Sequence, residues 1–211
     1  MDAQGRTARE QILDAAAELF VSQGLAATTT RQIAERVGVR QASLYYYFGG
    51  KDEMLLELLT RSVRPSLSVA GLIESACGSD AAAGLYALAV TDVRTLASSP
   101  HNIAMLYLSP EVQGPAFDGF RAERAALQGV YGRLGSAASP APVADAALTG
   151  TLIMQLVESV IQLRRVQDTL RDGYPRAIAE SCLRLAGLPA SEVSRTRAAA
   201  EKLLAQARVC R

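Results

Sequence analysis

The sequence contains few of the residues from which covalent or metal-centred sites are built. Its 211 residues include one histidine, three cysteines and no tryptophan. The cysteines, Cys77, Cys182 and Cys210, lie far apart and form no C-x-x-C pair, so neither a disulfide framework nor a zinc site is expected. Reduced thiols in a cytosol are the simpler interpretation, and no metal or other cofactor is predicted.

Motifs of catalysis are missing as well. The chain has no H-E-x-x-H, no P-loop and no G-x-G-x-x-G that follows a strand pattern. Acidic pairs such as Asp52-Glu53 are better explained as charges that favour the start of a helix. An enzyme on a helical scaffold is therefore disfavoured and no catalytic residue is predicted. Metal analysis and a simple turnover screen would test that alternative.

The sequence also lacks a large excess of one charge and a long hydrophobic run. Its formal net charge is only +1, so overall charge does not indicate nucleic-acid binding, and basic groups must act locally. No stretch of about 20 residues is both apolar and free of charge or proline, and residues 1–20 carry charges throughout. These features predict a cytoplasmic protein without a signal peptide or a membrane span.

What the sequence does contain is helical periodicity. In the first helix Ile12, Ala16, Leu19 and Phe20 follow the spacing of one apolar helix face. No strand-like alternation occurs, so an all-α fold is predicted. Helices are expected over about 7–23, from Thr29 to Gly38, over 40–48, from Lys51 to about 70 with Pro65 as a candidate kink, and over 80–97, 100–108, 115–135, 142–168, 174–187 and 191–208.

Residues 28–55 contain the most informative pattern, a helix, a tight turn and a second helix. Thr29 and Gln32 have the T-x-x-Q spacing of a capping box, which satisfies exposed N–H groups at a helix start. Gly38 suits the left-handed conformation at which a helix ends. In the second helix Leu44 and Phe48 are four residues apart, so they share a face and are predicted to anchor it to the core.

The opposite face of that second helix carries polar and aromatic side chains. Its centre lies at Ala42 and Tyr46, with Ser43 and Tyr45 beside them. Hydroxyl groups can bond phosphate oxygens, and alanine or an aromatic ring can contact a thymine methyl group. Gln41 lies in the first turn, where a glutamine amide can pair with adenine through two hydrogen bonds. The pattern therefore predicts a helix that enters the major groove of DNA, although Tyr45 could instead be a partly buried packing residue.

Two basic residues flank this helix. Arg40 can reach guanine or a phosphate. Lys51 begins the next helix, where its charge is unfavourable for the helix dipole, so an external anion such as DNA phosphate would explain it.

These residues resemble the DNA-binding domain of TetR-family transcriptional regulators. The resemblance covers about the first 55 residues and is carried by ILDAAAELFVSQG (12–24), TTRQIAERVGV (29–39), SLYYYF (43–48) and GKDEML (50–55). It implies a DNA-binding domain over residues 1–52 and a helical ligand-binding and dimerisation domain over 53–211. Arg40 departs from the Ser or Thr common in the family, and Tyr47 departs from a common histidine.

The resemblance implies roles for nine residues, and the departure at Arg40 adds a tenth. Thr29 and Arg31 would contact phosphate or bases at the start of the first motif helix, and Arg40 would add a further contact. The major groove would be read by Gln41, Ala42, Ser43 and Tyr45. The phosphates would be bound by Tyr46, Tyr47 and Lys51.

The helix over 142–168 is apolar around much of its circumference, which indicates burial on more than one side. With the next helix it suits a two-helix dimer seam, as TetR-like proteins use their last two core helices. Burial within the single chain is the alternative. The residues predicted for the seam are Leu152, Leu156, Val160, Ile178 and Cys182.

A small-molecule pocket is expected among the middle helices of the second domain. Aromatic and methionine side chains at helical spacing can equally form ordinary core, and His101 can be either a polar contact in a pocket or the start of a helix. The residues predicted to line the pocket are Tyr86, His101, Met105, Tyr107, Phe117, Phe120 and Met154.

Together these features predict a ligand-responsive dimeric regulator, a repressor, that binds a palindromic DNA operator and is released by a small molecule. A third interpretation is an interaction protein whose DNA motif has decayed. The intact set of Thr29, Arg31, Gln41, Ser43 and Lys51 argues against decay.

Overall fold

The computed structural model describes residues 6–167 and 171–209, the last four by their backbone only. Within this part of the chain the secondary structure is entirely helical, so the all-α prediction is confirmed. The α-helices are α1 (Ala8–Gln23), α2 (Thr30–Val37), α3 (Gln41–Tyr47), α4 (Lys51–Cys77), α5 (Ala81–Ser98), α6 (Asp118–Ala138), α7 (Ala146–Val166), α8 (Tyr174–Leu185) and α9 (Ala190–Val209). The short 3₁₀ segments are Pro100–Leu106, Pro110–Gln113 and Pro115–Phe117.

The chain forms two compact units that do not divide at residue 52. The first unit contains the residues up to Ser62 together with Ser99–Arg121, and the second contains Val63–Ser98 and the residues from Ala122 onward. The segment after α5 joins the first unit because it packs on α1. There the Nε2 atom of His101 lies 3.0 Å from Oδ1 of Asp14.

The first unit is organised by the helix ends that the sequence predicts. Thr7 forms a capping box with Glu10 at the start of α1. Gly38 ends α2 in the left-handed conformation, with φ 77°, which favours glycine because it has no Cβ. The side chains that fill the centre of this unit are Ile12, Phe20, Ile33, Leu44 and Phe48, all nearly or fully buried.

The second unit is built around α5, most of whose residues are buried. It packs against α7, α8 and α9. α6 and α7 approach closely at two glycines, since a Cβ on Gly150 would lie 2.5 Å from the carbonyl oxygen of Gln128. That separation is shorter than van der Waals contact, so glycine is required at this crossing.

Several elements differ from their predicted extents. α4 continues to Cys77 and keeps Pro65 within the helix. The predicted helix at 100–108 is a 3₁₀ segment instead, because His101 (φ 55°) and Asn102 (φ 52°) adopt left-handed backbone conformations that interrupt an α-helix. α7 begins at Ala146 because the side chain of Asp145 caps it. Residue 168, where that helix was predicted to end, and Cys210 lie outside the described residues.

α7 has the length and composition of a membrane-spanning helix, with a mean hydropathy of 1.4 over its most apolar window. About a third of that window (33%) is buried in the fold. A core helix of a soluble protein meets the same criterion, and α7 contacts α5 and α8. Its apolar character is therefore accounted for in part by packing within the second unit.

Candidate nucleic-acid interface

α2, the turn after it and α3 form a compact helix-turn-helix in the first unit. The Thr29 hydroxyl accepts a hydrogen bond from the backbone N–H of Gln32, and the Gln32 side chain accepts one from the N–H of Thr29. The predicted capping box is thereby confirmed. Arg40 occupies the N-cap position of α3 without a side-chain hydrogen bond to the helix, so its guanidinium is not used as a cap.

The outer face of α3 is exposed. Gln41, Ala42 and Ser43 all lie at the surface. The exposed fraction of the residue is 50% for Tyr45, 85% for Tyr46 and 36% for Tyr47. The inner face is closed, because Leu44 and Phe48 are almost fully buried, as predicted. A seven-residue helix is thus held by its apolar side and presents amide, hydroxyl and phenol groups on the other.

One side chain of α2 connects two of these exposed groups. The Gln41 Nε2 atom donates a hydrogen bond of 2.9 Å to the hydroxyl oxygen of Thr30. The phenol oxygen of Tyr45 lies 3.1 Å from the same hydroxyl oxygen. Sequence reasoning identified Thr29 and overlooked its neighbour, although the first residue of α2 follows directly from the capping box.

Two arginines near the motif form ion pairs with acidic neighbours. Arg31 pairs with Glu35 one turn along α2, with 2.8 Å between Nε and Oε1, and both side chains are well exposed. Arg36 pairs with Glu18 of α1. Exposed pairs of this kind contribute little to stability because water and salt screen their charges, so Glu35 does not prevent Arg31 from taking another anionic partner.

Lys51 is placed differently from its predicted role. Its ammonium group donates to the carbonyl oxygens of Leu25 and Thr28, at 2.7 Å and 2.6 Å. The start of α4 carries Asp52 and Glu53 in its first turn. The unfavourable position at the helix N-terminus is thus compensated within the first unit, so no external anion is needed to explain Lys51, and its phosphate contact stays a prediction.

A charged contact supports α3 from beneath. The guanidinium of Arg9 lies 4.6 Å from the centre of the Phe48 ring, a cation–π distance. Its Nη1 atom donates to Oε1 of Glu57 at 2.5 Å. Burial acts to raise the pKa of Glu57, but the hydrogen bond from Arg9 and the charge of Arg61 outweigh it, so this pKa lies below its usual value.

The residues predicted to line a ligand pocket do not all lie in one unit. Tyr86 and Met154 belong to the second unit, and the other five belong to the first. In the first unit the rings of Tyr107 and Phe120 are 5.4 Å apart, and the Tyr107 phenol lies 2.7 Å from the hydroxyl of Ser62. The five predicted pocket residues in the first unit are His101, Met105, Tyr107, Phe117 and Phe120.

The second unit also contains a cavity of about 620 Å³ between α9 and the turn from α4 to α5. Its lining includes Asp80, Glu192, Arg195 and Lys202 and none of the predicted pocket residues. Apolar residues share this lining, among them Ala83, Ala198, Ala199 and Leu203. The predicted pocket residues therefore stay a prediction.

The predicted dimer residues separate into two groups. Val160 and Cys182 are fully buried within the chain and Ile178 nearly so. These three were assigned to the seam because they are apolar, but they pack inside the second unit and have almost no surface for a partner to cover. Burial also raises the pKa of the Cys182 thiol to about 12. Leu152 is exposed and Leu156 is half-buried.

The geometry of α2 and α3 defines a class of protein. A capped helix, a turn through a left-handed glycine and a short helix with an exposed polar face form the helix-turn-helix of DNA-binding proteins. Among the described residues, no group of three or more His, Cys, Asp or Glu side chains is arranged to hold a metal ion.

Comparison with known proteins identifies the family. The family model for bacterial regulatory proteins of the tetR family matches residues 12–58. The crystal structure of Mycobacterium smegmatis AmtR is 38% identical, with a TM-score of 0.86 over 97% of both chains. The chain belongs to the TetR family, and it is a helix-turn-helix transcriptional regulator and not an enzyme.

Two further relatives carry one name. The transcriptional repressor KstR2 of Rhodococcus jostii (strain RHA1) is 36% identical over 107 residues, which is 50% of this chain and 52% of that protein. The structure of the ketosteroid transcriptional regulator KstR2 of Mycobacterium tuberculosis has a TM-score of 0.70 over 86% of this chain and 94% of that one, at 19% identity, so it shows the fold alone. The chain spans about half the length of the curated relatives that it matches.

Proposed function

We propose that this chain is a homodimeric repressor that reads a palindromic operator with α3 and dissociates when a small molecule binds its helical domain. The exposed polar face of α3 is the observation that carries the proposal. Three neighbouring tyrosines on a short surface helix, with Gln41 and Ser43 beside them, are poorly explained by solvation alone. They match the groups that bond phosphates and base edges.

The roles of individual residues follow from their placement. Gln41, Ala42 and Ser43 lie in the first turn of α3 and would meet the base edges, with Tyr45 beside them. Tyr46 and Tyr47 lie later on the helix and would bond phosphates. Thr29, Arg31 and Arg40 would complete the phosphate contacts at the two helix starts.

A dimer is supported by exposed leucines on α7 and α8, which contact each other. Leu148 and Leu152 are one turn apart and 53% and 44% exposed, and Leu156 continues the stripe. On α8, Leu185 is 37% exposed. We therefore propose a seam that uses Leu152 and Leu156 as predicted and substitutes Leu148 and Leu185 for the buried residues. Two α3 helices related by the two-fold axis would meet major grooves about 34–36 Å apart.

Repression is supported by relatives that are named repressors. Release by a small molecule is the further step of the proposal. It requires a molecule that binds one arrangement of the dimer more tightly than the arrangement that fits DNA. The predicted pocket residues are the first candidates for such binding.

Selection of bound sites from a random DNA pool tests the proposal. We expect an inverted repeat whose affinity falls steeply with salt. Enrichment of no sequence, or of a single half-site, would contradict it. In parallel, sedimentation should show a dimer for the parent and a monomer for Leu152→Glu, whereas Val166→Glu, an exposed change at the end of α7, should remain dimeric.

A further inference from the structure

We infer that Thr30 is a positioning residue that sets the orientation of the Gln41 amide and the Tyr45 phenol, and so tunes which base the protein prefers. This inference rests on the proposed reading of DNA by α3. Thr30 lies on α2 and the other two residues lie on α3, so the contact links the two helices of the motif.

The geometry places one hydroxyl between two reading groups. Its oxygen accepts from the Gln41 Nε2 atom at 2.9 Å and lies 3.1 Å from the Tyr45 phenol oxygen. Gln41 and Tyr45 are four residues apart and therefore share a face of α3. A hydroxyl group offers one donor and two acceptor positions, so it can bond both neighbours at once.

The position of that hydroxyl is itself well defined. Thr30 is the first residue of α2 and follows the capping box of Thr29 and Gln32, which fixes the backbone at this point. A β-branched side chain has few accessible χ1 rotamers. The Thr30 side chain is also half-buried. The backbone of α2 therefore determines where the hydroxyl lies.

The hydrogen bond to Thr30 would determine which end of the Gln41 amide meets each atom of the base. With one N–H of Nε2 bonded to Thr30, the second N–H and the Oε1 atom remain available. These are the donor and the acceptor that pair with N7 and N6 of adenine. Without the Thr30 hydroxyl the amide can rotate and present its two ends in either order, which lowers the preference for adenine.

Thr30 could instead bond a phosphate directly, as exposed groups at helix starts often do. The two roles predict different patterns. A phosphate contact stabilises binding to every sequence alike, whereas a positioning contact acts only at the base that Gln41 reads.

The test uses the full chain and the operator recovered by random-pool selection, with each base of one half-site replaced in turn. Affinities are measured for the parent, Thr30→Val, Thr30→Ser, Gln41→Ala and the double variant Thr30→Val with Gln41→Ala. Thr30→Val keeps the shape and removes the hydroxyl, and Thr30→Ser restores it. Thr60→Val, at a half-buried threonine of α4, is the matched control. Thermal unfolding checks that each variant is folded.

We expect Thr30→Val to reduce base discrimination about two- to tenfold at the position that Gln41→Ala identifies, the size of one lost hydrogen bond. Affinity for random DNA should stay unchanged, Thr30→Ser should retain the parental preference, and the double variant should match Gln41→Ala at that position. Equal weakening at all sequences, additive losses in the double variant, or parental behaviour of Thr30→Val would overturn the inference. A parent that shows no base preference would contradict the proposed function instead.

Discussion

Two polar clusters in this protein use similar chemical groups in opposite surroundings. The exposed cluster consists of Thr30, Gln41 and Tyr45 on the helix-turn-helix. The buried cluster lies in the second unit, where the hydroxyl of Ser66 and the phenol of Tyr131 donate to the two carboxylate oxygens of Asp92, at 2.7 Å and 2.9 Å. All three residues of the buried cluster are nearly or fully buried.

The difference lies in what remains available for other partners. In the buried cluster both hydroxyl protons are used internally, so it joins α4, α5 and α6 and offers nothing to an outside molecule. In the exposed cluster the Gln41 amide keeps a free donor and a free acceptor. Burial raises the pKa of Asp92 to about 6, although the hydrogen bonds from Ser66 and Tyr131 act to lower it. Two charged neighbours also act on this pKa: Glu158 of α7 raises it and Arg124 of α6 lowers it.

Removal of the buried acceptor should have the largest effect on stability. In Asp92→Ala the Ser66 and Tyr131 hydroxyls lose their partner without gaining water, and we expect unfolding to become easier by about 3–5 kcal/mol. Denaturant unfolding at pH 5 is the measurement, since the carboxyl is then largely protonated and no relief of buried charge offsets the loss. Asp172→Ala, at an exposed aspartate, is the control. Equal stability of the two variants would show that the buried cluster does not join the helices.

The buried cluster should also make stability depend on pH, because it contains the carboxyl group of Asp92 and the exposed cluster has no carboxyl group. The pKa of Asp92 is raised to about 6 in the folded protein and is about 3.9 in an unfolded chain. The folded state therefore binds the extra proton, and its stability decreases as the pH rises from about 4 to above 6, by up to about 3 kcal/mol.

The comparison with Asp92→Asn isolates this effect from the other carboxylates. Asparagine keeps an acceptor and cannot ionise, so the variant should lose that part of the pH dependence. Urea unfolding of both proteins between pH 4 and pH 7.5 measures the difference. Parallel curves would show that Asp92 titrates normally.

Lys51 should affect stability more than DNA recognition. Lys51→Met removes two hydrogen bonds to the Leu25 and Thr28 carbonyls, and we expect a loss of about 2 kcal/mol, typical of hydrogen bonds from a charged group. Lys202→Met, at the other lysine of the chain and exposed on α9, should change stability little. A Lys51→Met protein that is fully stable but binds every DNA sequence more weakly would restore the phosphate role.

The smallest effects should come from two phenol groups that differ only in exposure. Tyr131→Phe removes a buried donor to Asp92 and should cost about 1 kcal/mol. Tyr46→Phe removes an 85% exposed phenol and should change stability by less than about 0.5 kcal/mol. Its effect should appear in DNA affinity, uniformly across sequences. Thermal unfolding and a salt titration of binding measure the two properties, and a Tyr46→Phe protein that is as destabilised as Tyr131→Phe would remove the distinction between the clusters.

Much of the helix-turn-helix could be predicted from residue spacing. The Thr29 capping box, the Gly38 helix end and the Leu44–Phe48 anchor face all depend on residues within four positions of one another, and the structure has each of them. The apolar pattern of α7 was also recognised. Of the residues predicted for the dimer seam, Val160, Ile178 and Cys182 are buried within the chain. Apolar character alone does not tell whether a neighbour in the same chain or a second copy covers a side chain.

The role of Lys51 shows the same limit in the candidate site. Its position at a helix start follows from the local sequence. Its partners within the chain do not, because Leu25 and Thr28 lie more than twenty residues earlier. The 3₁₀ segment at Pro100–Leu106 was predicted as an α-helix. There the left-handed backbone at His101 and Asn102 is held where the segment packs on α1, a contact across more than eighty residues.

The local sequence predicts that the described part of the chain is helical, where the second helix of the helix-turn-helix lies and which face of that helix points outward. These properties depend on backbone hydrogen bonds and side chains separated by three or four positions, whose geometry the α-helix fixes. The packing of the helices is what brings Thr30 to Gln41 and Tyr45, Lys51 to the loop after α1, and Ser66, Asp92 and Tyr131 together in the core. Such contacts bring together residues from different helices, and their existence depends on how those helices pack.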